Sequence, residues 1–248
     1  MWPFPKILAH RGGGKLAPEN TIAALRCGLE HGYRAVEFDV MLARDGVPVV
    51  IHDPYLGRTV AGAGKVADYD AAELQAMDAG SWFAARHAGE PVPLFAEVMA
   101  FCRAHGIWMN IEIKPVPGFE VVTGQVVAAA TAAVFSDGVG VPLLSSFSET
   151  ALAAARDAVP ALPRAVLFDS IPPDWQARAT ALGALAIHCN HKRLDAPMAA
   201  AIGAAGFGLF CYTVNTPARA RALFDMGVDA LCTDRIDLIA PSFGASFP

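Results

Sequence analysis

The chain has 248 residues, of which 54% are hydrophobic and 17% charged, and this composition predicts a folded protein with a sizeable core rather than a disordered one. The net charge of −5 argues against a broad nucleic-acid-binding surface, because such surfaces are basic. The sequence has no signal-like segment and no apolar run of about 18 residues, so we expect neither secretion nor insertion into a membrane.

The first predicted elements are a short strand and a helix. Residues 6–9 are apolar and run into His10, Arg11 and three glycines, as at the carboxyl end of a buried parallel strand. A helix is predicted to follow, with Asn20 as its cap and an end near residue 31.

Residues 34–53 predict a β-hairpin that brings charged side chains together. Glu37 and Asp39 lie two residues apart, so on a strand both point to one face. The turn at 44–46 is too short for the crossover that a parallel partner strand needs. With that turn, residue 39 pairs with residue 51, and His52 therefore returns to the level of Asp39.

The pattern changes after the hairpin and then becomes regular. Residues 54–93 are rich in glycine and proline, which predicts a small inserted subdomain within a single domain spanning 1–248. Beyond it, helices are predicted at 94–105, 119–135, 148–157, 173–182, 196–205 and 216–226, with strands at 107–113, 141–145, 164–168, 185–189, 208–214 and 229–232. With the strands at 6–9 and 35–39, this α/β alternation predicts a (β/α)8 TIM barrel; an open doubly wound sheet is the alternative.

Three acidic residues are predicted to meet at the carboxyl-terminal mouth of this barrel, where the strand ends converge. They are Glu37 and Asp39 on the second strand and Glu112 on the third. An all-oxygen set of this kind suits Mg²⁺ or Ca²⁺, whereas zinc prefers histidine or cysteine. The sequence therefore predicts a site for a hard divalent cation.

Proton-transferring and cationic groups are predicted to flank that site. His10 and His52 titrate near neutrality and suit a general acid–base pair. Arg11 and Lys114 supply positive charge for an anionic substrate, although Lys114 also has the alternative of a structural ion pair with Glu112. Together with the cation, these groups predict cleavage of a phosphodiester.

The strand ends of the second half carry weaker signals. Phe147, His191 and Tyr212 are candidates to line a substrate pocket. Packing is the alternative for Phe147 and Tyr212, and His188 and His191 are left between a structural role and contact with the substrate. Asp234 and Arg235 predict an ion pair that closes the barrel.

Six segments of the sequence resemble, in the same order, the signature motifs of the glycerophosphodiester phosphodiesterase family. They are HRGGGKLAPENT (10–21), EFDVMLARDGVPVVIHD (37–53), NIEIKP (110–115), SSF (145–147), CYTVN (211–215) and CTDRID (232–237). The resemblance covers nearly the whole chain. It is especially close to the cytoplasmic bacterial form linked to glycerol-3-phosphate uptake, including DAGSW (78–82) and NHK (190–192).

The resemblance implies hydrolysis of a glycerophosphodiester to glycerol 3-phosphate and a free alcohol. It implies that His10 and His52 are the acid–base pair, that the three carboxylates bind Mg²⁺ or Ca²⁺, and that Arg11 and Lys114 contact the phosphate. Residues 54–93 match the insertion that separates this family from phosphoinositide phospholipases C. Which histidine is the base stays open, as does whether the nucleophile is water or the 2-hydroxyl of the glycerol.

Two other functions remain as alternatives: a phospholipase C-like or lysophospholipase D-like enzyme acting on lipids, and a non-catalytic phosphate-binding protein. The acid–base pair argues against the second, because binding alone needs no proton transfer. We expect a small-molecule substrate without nucleic-acid or membrane partners, and a cytoplasmic location because five scattered cysteines predict free thiols. Tyr69, Trp82 and Phe83 are candidates for a lid or a homodimer contact.

Overall fold

Eight parallel strands close into a barrel in the computed structural model, which describes residues 2–246. The barrel strands are β1 (Ile7–His10), β2 (Ala35–Leu42), β4 (Trp108–Ile113), β5 (Leu143–Ser146), β6 (Arg164–Phe168), β7 (Ala186–Asn190), β8 (Gly208–Tyr212) and β9 (Ala230–Thr233). Because β1 pairs with both β2 and β9, the sheet has no gap. The predicted TIM barrel is confirmed; Met1, Phe247 and Pro248, included in the predicted domain, lie outside the described residues.

Helices cover the outside of this barrel. They are α1 (Ile22–Glu30), α3 (Phe95–Ala104), α4 (Glu120–Val134), α5 (Glu149–Ala158), α6 (Trp175–Ala181), α7 (Ala196–Ala204) and α8 (Pro217–Asp225), whereas α2 (Ala71–Gln75) lies within the segment that follows the hairpin. The outward side chains of β2, among them Val36, Phe38 and Val40, belong to the core between strands and helices. Within residues 2–246 no helix has both the length and the apolar character needed to span a membrane.

The start of α1 corrects one prediction. Thr21, not Asn20, caps the helix, since the Thr21 hydroxyl accepts a hydrogen bond from the backbone N–H of Ala24 at 3.1 Å. Asn20 has a positive φ of 58°, and its side chain instead donates to Asp39. The cap prediction was wrong because a long-range contact, invisible to local spacing, holds Asn20 away from the helix.

Inside the barrel, apolar side chains occupy the amino-terminal end. Leu8, Ala35 and Phe210 pack there with Trp2 and Trp108. The Trp2 and Phe210 rings stack with centroids 6.0 Å apart. This floor leaves the carboxyl-terminal end as the open mouth, where the polar residues are found.

The hairpin is formed as predicted, by β2 and the antiparallel strand β3 (Pro48–Val50). Met41 pairs with Val49, and the N–H of Ile51 donates to the carbonyl of Asp39 at 3.1 Å. β2 pairs with β1 only at Val36 and Glu37 and with β4 as far as Val40, so its last two residues extend beyond the barrel together with β3. His52, at the end of β3, is thereby carried to the mouth.

At Gly14 the loop after β1 approaches the end of β9 closely, and a substitution there tests that approach. Its φ is +56°, and an added Cβ would lie 2.2 Å from the carbonyl oxygen of Asp234. We expect Gly14→Ala to lower the free energy of unfolding by roughly 3 kcal/mol, measured by urea denaturation, because both the backbone and the neighbour must move. Gly46→Ala is the control. Its φ is +78°, but beyond its two chain neighbours no described atom lies within 4 Å of an added Cβ, so this change should lower the free energy of unfolding by only about 1 kcal/mol. Equal losses in the two variants would contradict the close approach.

Candidate active site

Three buried carboxylates meet at the mouth of the barrel, as the sequence predicted. Glu37 and Asp39 point inward from β2, and Asp39 is the direct cross-strand partner of Glu112 on β4. One ligand oxygen from each residue lies within 4.8 Å of the others. All three residues are buried, with exposures of 8% or less. The cluster is therefore a feature of the barrel wall and not of an exposed strand face.

The crowding of the three carboxylates raises the pKa values of the two glutamates. Burial and the charges of Asp39 and Glu112 raise the pKa of Glu37 well above its ordinary value. Burial and Asp39 likewise raise the pKa of Glu112 to about 7. Among protein groups alone, the cluster therefore favours retaining a proton at neutral pH.

Asp39 behaves in the opposite way because it has cationic neighbours. Lys114 Nζ donates to Asp39 Oδ1 at 3.2 Å, Asn20 Nδ2 donates to Oδ2 at 2.9 Å, and Arg11 Nε lies 3.6 Å from Oδ2. Burial would raise the pKa of Asp39, but Lys114 and Arg11 hold it below its ordinary value. Lys114 Nζ also lies 3.8 Å from Glu112, the partner considered as an alternative, so it is closer to Asp39 than to Glu112.

These residues fit a divalent cation. Three clustered carboxylates supply hard oxygen ligands, and two of them resist ionisation unless positive charge is added. Arg11 Nε is buried, has no hydrogen-bond partner within the described chain, and faces Asp39. Glu37, Asp39 and Glu112 are the residues that would hold the ion.

His10, at the end of β1, is oriented by a carboxylate that sequence reasoning did not assign to it. Its Nδ1 lies 2.6 Å from Asp234 Oδ1, and Asn215 Nδ2 donates to the other oxygen of Asp234 at 2.9 Å. Although burial would raise it, these hydrogen bonds lower the pKa of Asp234 to about 2. An ionised Asp234 accepts the Nδ1 proton, which leaves His10 Nε2 facing the site, 3.7 Å from Glu37.

The predicted ion pair between Asp234 and Arg235 is wrong. Arg235 pairs with Asp237 through Nη2 and Oδ2 at 2.7 Å, on the outside of the barrel. Asp234 is drawn to His10, a residue 224 positions earlier. Adjacent residues at a strand end point to different sides, so sequence proximity did not make them partners.

His52 is held in the same manner as His10. Its Nδ1 lies 2.6 Å from Asp53 Oδ1, and Asp53 also accepts a hydrogen bond from Arg58 Nε. Burial opposes ionisation, but Arg58 and His52 lower the pKa of Asp53 to about 2. Burial lowers the pKa of His52, while Asp39 opposes that shift. Both predicted histidines thus present Nε2, with Nδ1 bound to an aspartate.

A cavity of about 230 Å³ joins these groups. Its lining includes most of the predicted site residues: His10, Arg11, Glu37, His52, Glu112, Lys114, Phe147 and Tyr212. Asp39, buried among its cationic neighbours, and His191 are not part of the lining. The two halves of the predicted site are therefore joined by one cavity, with His191 set apart.

The later strands supply the cavity walls. The rings of Phe147 and Tyr212 meet edge to face with centroids 5.8 Å apart, and the Tyr212 hydroxyl donates to the carbonyl of Phe168 at 3.0 Å. His191 Nδ1 accepts from Arg219 Nε at 3.2 Å. His188, which the sequence left between a structural and a substrate role, is fully buried against Phe210, and burial lowers its pKa to about 3. It lines the floor of the cavity, and neither of its ring nitrogens has a hydrogen-bond partner within the described chain.

Stability against pH tests the crowded carboxylates. A folded-state pKa near 7 for Glu112 means that, between about pH 4.5 and 7, the unfolded chain releases a proton that the folded chain keeps. With EDTA present, we expect the free energy of unfolding to fall by roughly 3 kcal/mol as pH rises through this window, measured by urea denaturation.

Two further measurements isolate the cause. Glu112→Gln should give a shallower pH dependence, because its side chain carries no charge in either state. Adding Mg²⁺ or Ca²⁺ at pH 7 should stabilise the wild type by about 2.7 kcal/mol at a hundredfold excess over the dissociation constant. An unchanged slope in Glu112→Gln would contradict the assignment.

Comparison with known proteins gives consistent matches over nearly the whole chain. The model of the glycerophosphoryl diester phosphodiesterase family matches residues 10–238. Bacillus subtilis YhdW is 34% identical over 241 residues, covering 94% of this chain and 96% of its own. A glycerophosphodiester phosphodiesterase of Caldanaerobacter subterraneus is 32% identical, covering 92% and 93% of the two chains. Among solved structures, an Oleispira antarctica phosphodiesterase in complex with the product sn-glycerol-3-phosphate is 34% identical, with a TM-score of 0.88 over 98% of this chain and 96% of that one.

Proposed function

The chain belongs to the glycerophosphoryl diester phosphodiesterase family and is a glycerophosphodiester phosphodiesterase, and we propose that it releases sn-glycerol 3-phosphate and a free alcohol with the help of Mg²⁺ or Ca²⁺. One observation carries this proposal: two aspartate-held histidines flank a cluster of three buried carboxylates. The structure of the Oleispira antarctica enzyme was determined in complex with its product sn-glycerol-3-phosphate, which supports the same product here.

The charged groups would bind the phosphate of the substrate. Arg11 and Lys114 both line the cavity and offer positive charge from opposite sides of Asp39. The cation, when bound to the carboxylate cluster, supplies further positive charge for the phosphate oxygens as negative charge develops on them. Phe147 and Tyr212 form an aromatic wall for the carbon atoms of the substrate.

The two histidines would move the protons of the hydrolysis. With Nδ1 bound to Asp234 or Asp53, each ring keeps Nε2 for exchange. One Nε2 takes a proton from the nucleophile and the other gives a proton to the departing alcohol oxygen as its bond to phosphorus breaks. One water is consumed overall, so the products are a phosphomonoester and an alcohol.

We further propose that the chain acts as a single catalytic domain in which residues 54–93 form a small inserted subdomain. Val60, Val66 and Leu74 of this segment pack against Met41 and Val49 of the hairpin. The insertion thus has its own cluster of buried side chains, continuous with the hairpin that carries His52.

The five cysteines are free thiols, which supports a location in the cytoplasm.

Metal-dependent product release tests the proposal. We expect sn-glycerol 3-phosphate to form from glycerophosphocholine, to stop with EDTA, and to resume when Mg²⁺ or Ca²⁺ is added, as measured by a coupled glycerol-3-phosphate assay. EDTA-resistant release would overturn the metal role of the carboxylates. Turnover of micellar lysolipid without any turnover of glycerophosphocholine would favour the lipid alternative.

Substitution of either histidine tests the proton transfers. His10→Ala and His52→Ala should each lower kcat by about 10²- to 10⁴-fold, because a general acid or base contributes this much. His105→Ala is the control, since that exposed ring at the end of α3 bonds only locally, to the carbonyl of Phe101. Circular dichroism and thermal unfolding should show all three variants folded. Near wild-type turnover in either site variant would remove that histidine from the mechanism.

A further inference from the structure

Arg58 is not part of the cavity lining, yet its guanidinium joins two carboxylates that support the active site. Its Nη1 and Nη2 donate to the two oxygens of Glu19 at 2.8 and 2.7 Å, and its Nε donates to Asp53. Asp53 holds Nδ1 of His52, and Glu19 accepts from Arg11 Nη1 at 2.6 Å. Arg58 therefore links the support of a histidine to the support of the phosphate-facing arginine.

The backbone around Arg58 is held firmly. The N–H of Leu56 donates to the carbonyl of Gly64 at 3.0 Å, and the N–H of Gly57 donates to that of Val60 at 2.8 Å. Val60 is 2% exposed and belongs to the core cluster of the inserted segment. The guanidinium is thus presented from a folded turn whose position the insertion itself determines.

The charges explain why an arginine is suited to this position. Glu19 and Asp53 carry like charges, and the planar fork of a guanidinium can satisfy both at once, whereas a lysine ammonium is a single point charge. Burial opposes ionisation of Glu19, but Arg58 and Arg11 lower its pKa. Both carboxylates therefore stay ionised and able to accept.

The two catalytic histidines differ in what holds their aspartates. Asp234, behind His10, is held by the neutral side chain of Asn215, which follows barrel strand β8. Asp53, behind His52, is held by a cation from the inserted segment. Only the second arrangement depends on residues 54–93.

We propose that Arg58 is a positioning residue for the hydrolysis: it fixes Asp53, and through Asp53 the ring of His52, relative to Arg11 and the bound phosphate. This inference rests on the proposed function. Arg11 has its own hydrogen bond to Glu19, so we expect the loss of Arg58 to affect substrate binding less than the proton transfer. Loss of Arg58 therefore lowers kcat more than it raises KM.

Kinetics of Arg58 variants test the proposal, with Arg44 as a matched control. Arg44 also bridges two carboxylates, Asp70 at 2.8 Å and Glu73 at 3.0 Å, and its side chain is 52% exposed against 45% for Arg58. Arg58→Ala should lower kcat for glycerophosphocholine about 10- to 100-fold, as is typical of residues that orient catalytic groups, with KM changed less than threefold. Arg58→Lys should recover part of the loss, and Arg44→Ala should keep wild-type kcat. Both alanine variants should lower Tm by no more than about 4 °C, because each removes a guanidinium that is about half exposed to solvent, where ion pairs contribute little.

A double-mutant cycle with Asp53→Asn identifies the route of the effect. If Arg58 acts through Asp53, the double variant should lose little more activity than Asp53→Asn alone. Three outcomes would overturn the proposal. The first is that the kcat losses of the two single variants multiply in the double variant. The others are that Arg58→Ala has the same kcat as Arg44→Ala, or that the loss of kcat among the variants parallels the fall in Tm. If the wild type hydrolyses glycerophosphocholine and Arg58→Ala does so at the same rate, this inference alone is overturned. If the wild type itself has no such activity, the proposed function is overturned.

Discussion

The repulsion among three buried carboxylates is the constraint on which the rest of the site depends. At about 4 Å, two unit charges repel by roughly 4 kcal/mol even with an effective dielectric constant of 20. The barrel register imposes this cost, because it makes Asp39 and Glu112 direct cross-strand partners and places Glu37 on the same inward face. Arg11 and Lys114 bring the pKa of Asp39 below its ordinary value but offset the repulsion only in part at Glu37 and Glu112, so the glutamates keep raised pKa values that a cation would reverse.

The same register explains why the histidines flank the cluster. His10 is the direct partner of Glu37 across β1 and β2. His52 arrives from the other side, because the hairpin returns β3 antiparallel along the upper half of β2. A single long strand, β2, is therefore shared by the barrel and the hairpin, and it places the two histidines on opposite sides of the carboxylates. Apart from Asp234, which follows β9 and holds His10, the later strands contribute walls rather than charges.

Local spacing was enough to predict this half of the site. The two-residue periodicity of a strand put Glu37 and Asp39 on one face, and the short turn at 44–46 determined the register that returns His52. The alternation of strands and helices likewise predicted the barrel. What spacing could not supply were partners distant in sequence. Asp234 was assigned to its neighbour Arg235, and Asn20 to the helix cap, because both readings considered only nearby residues.

The support of His10 was out of reach of the sequence for the same reason, whereas that of His52 is local in sequence; the contrast shows what the insertion adds to the barrel. The orientation of His10 needs only side chains that follow barrel strands, so closing the barrel is sufficient to produce it. The orientation of His52 needs Asp53 on the hairpin and Arg58 on the inserted segment, and neither belongs to a barrel strand. A change within residues 54–93 can therefore alter the orientation of His52 while leaving that of His10, and the carboxylate cluster, intact. The insertion is in this sense tied to the candidate site, and it packs against Met41 and Val49 on the same face of the hairpin as Asp39.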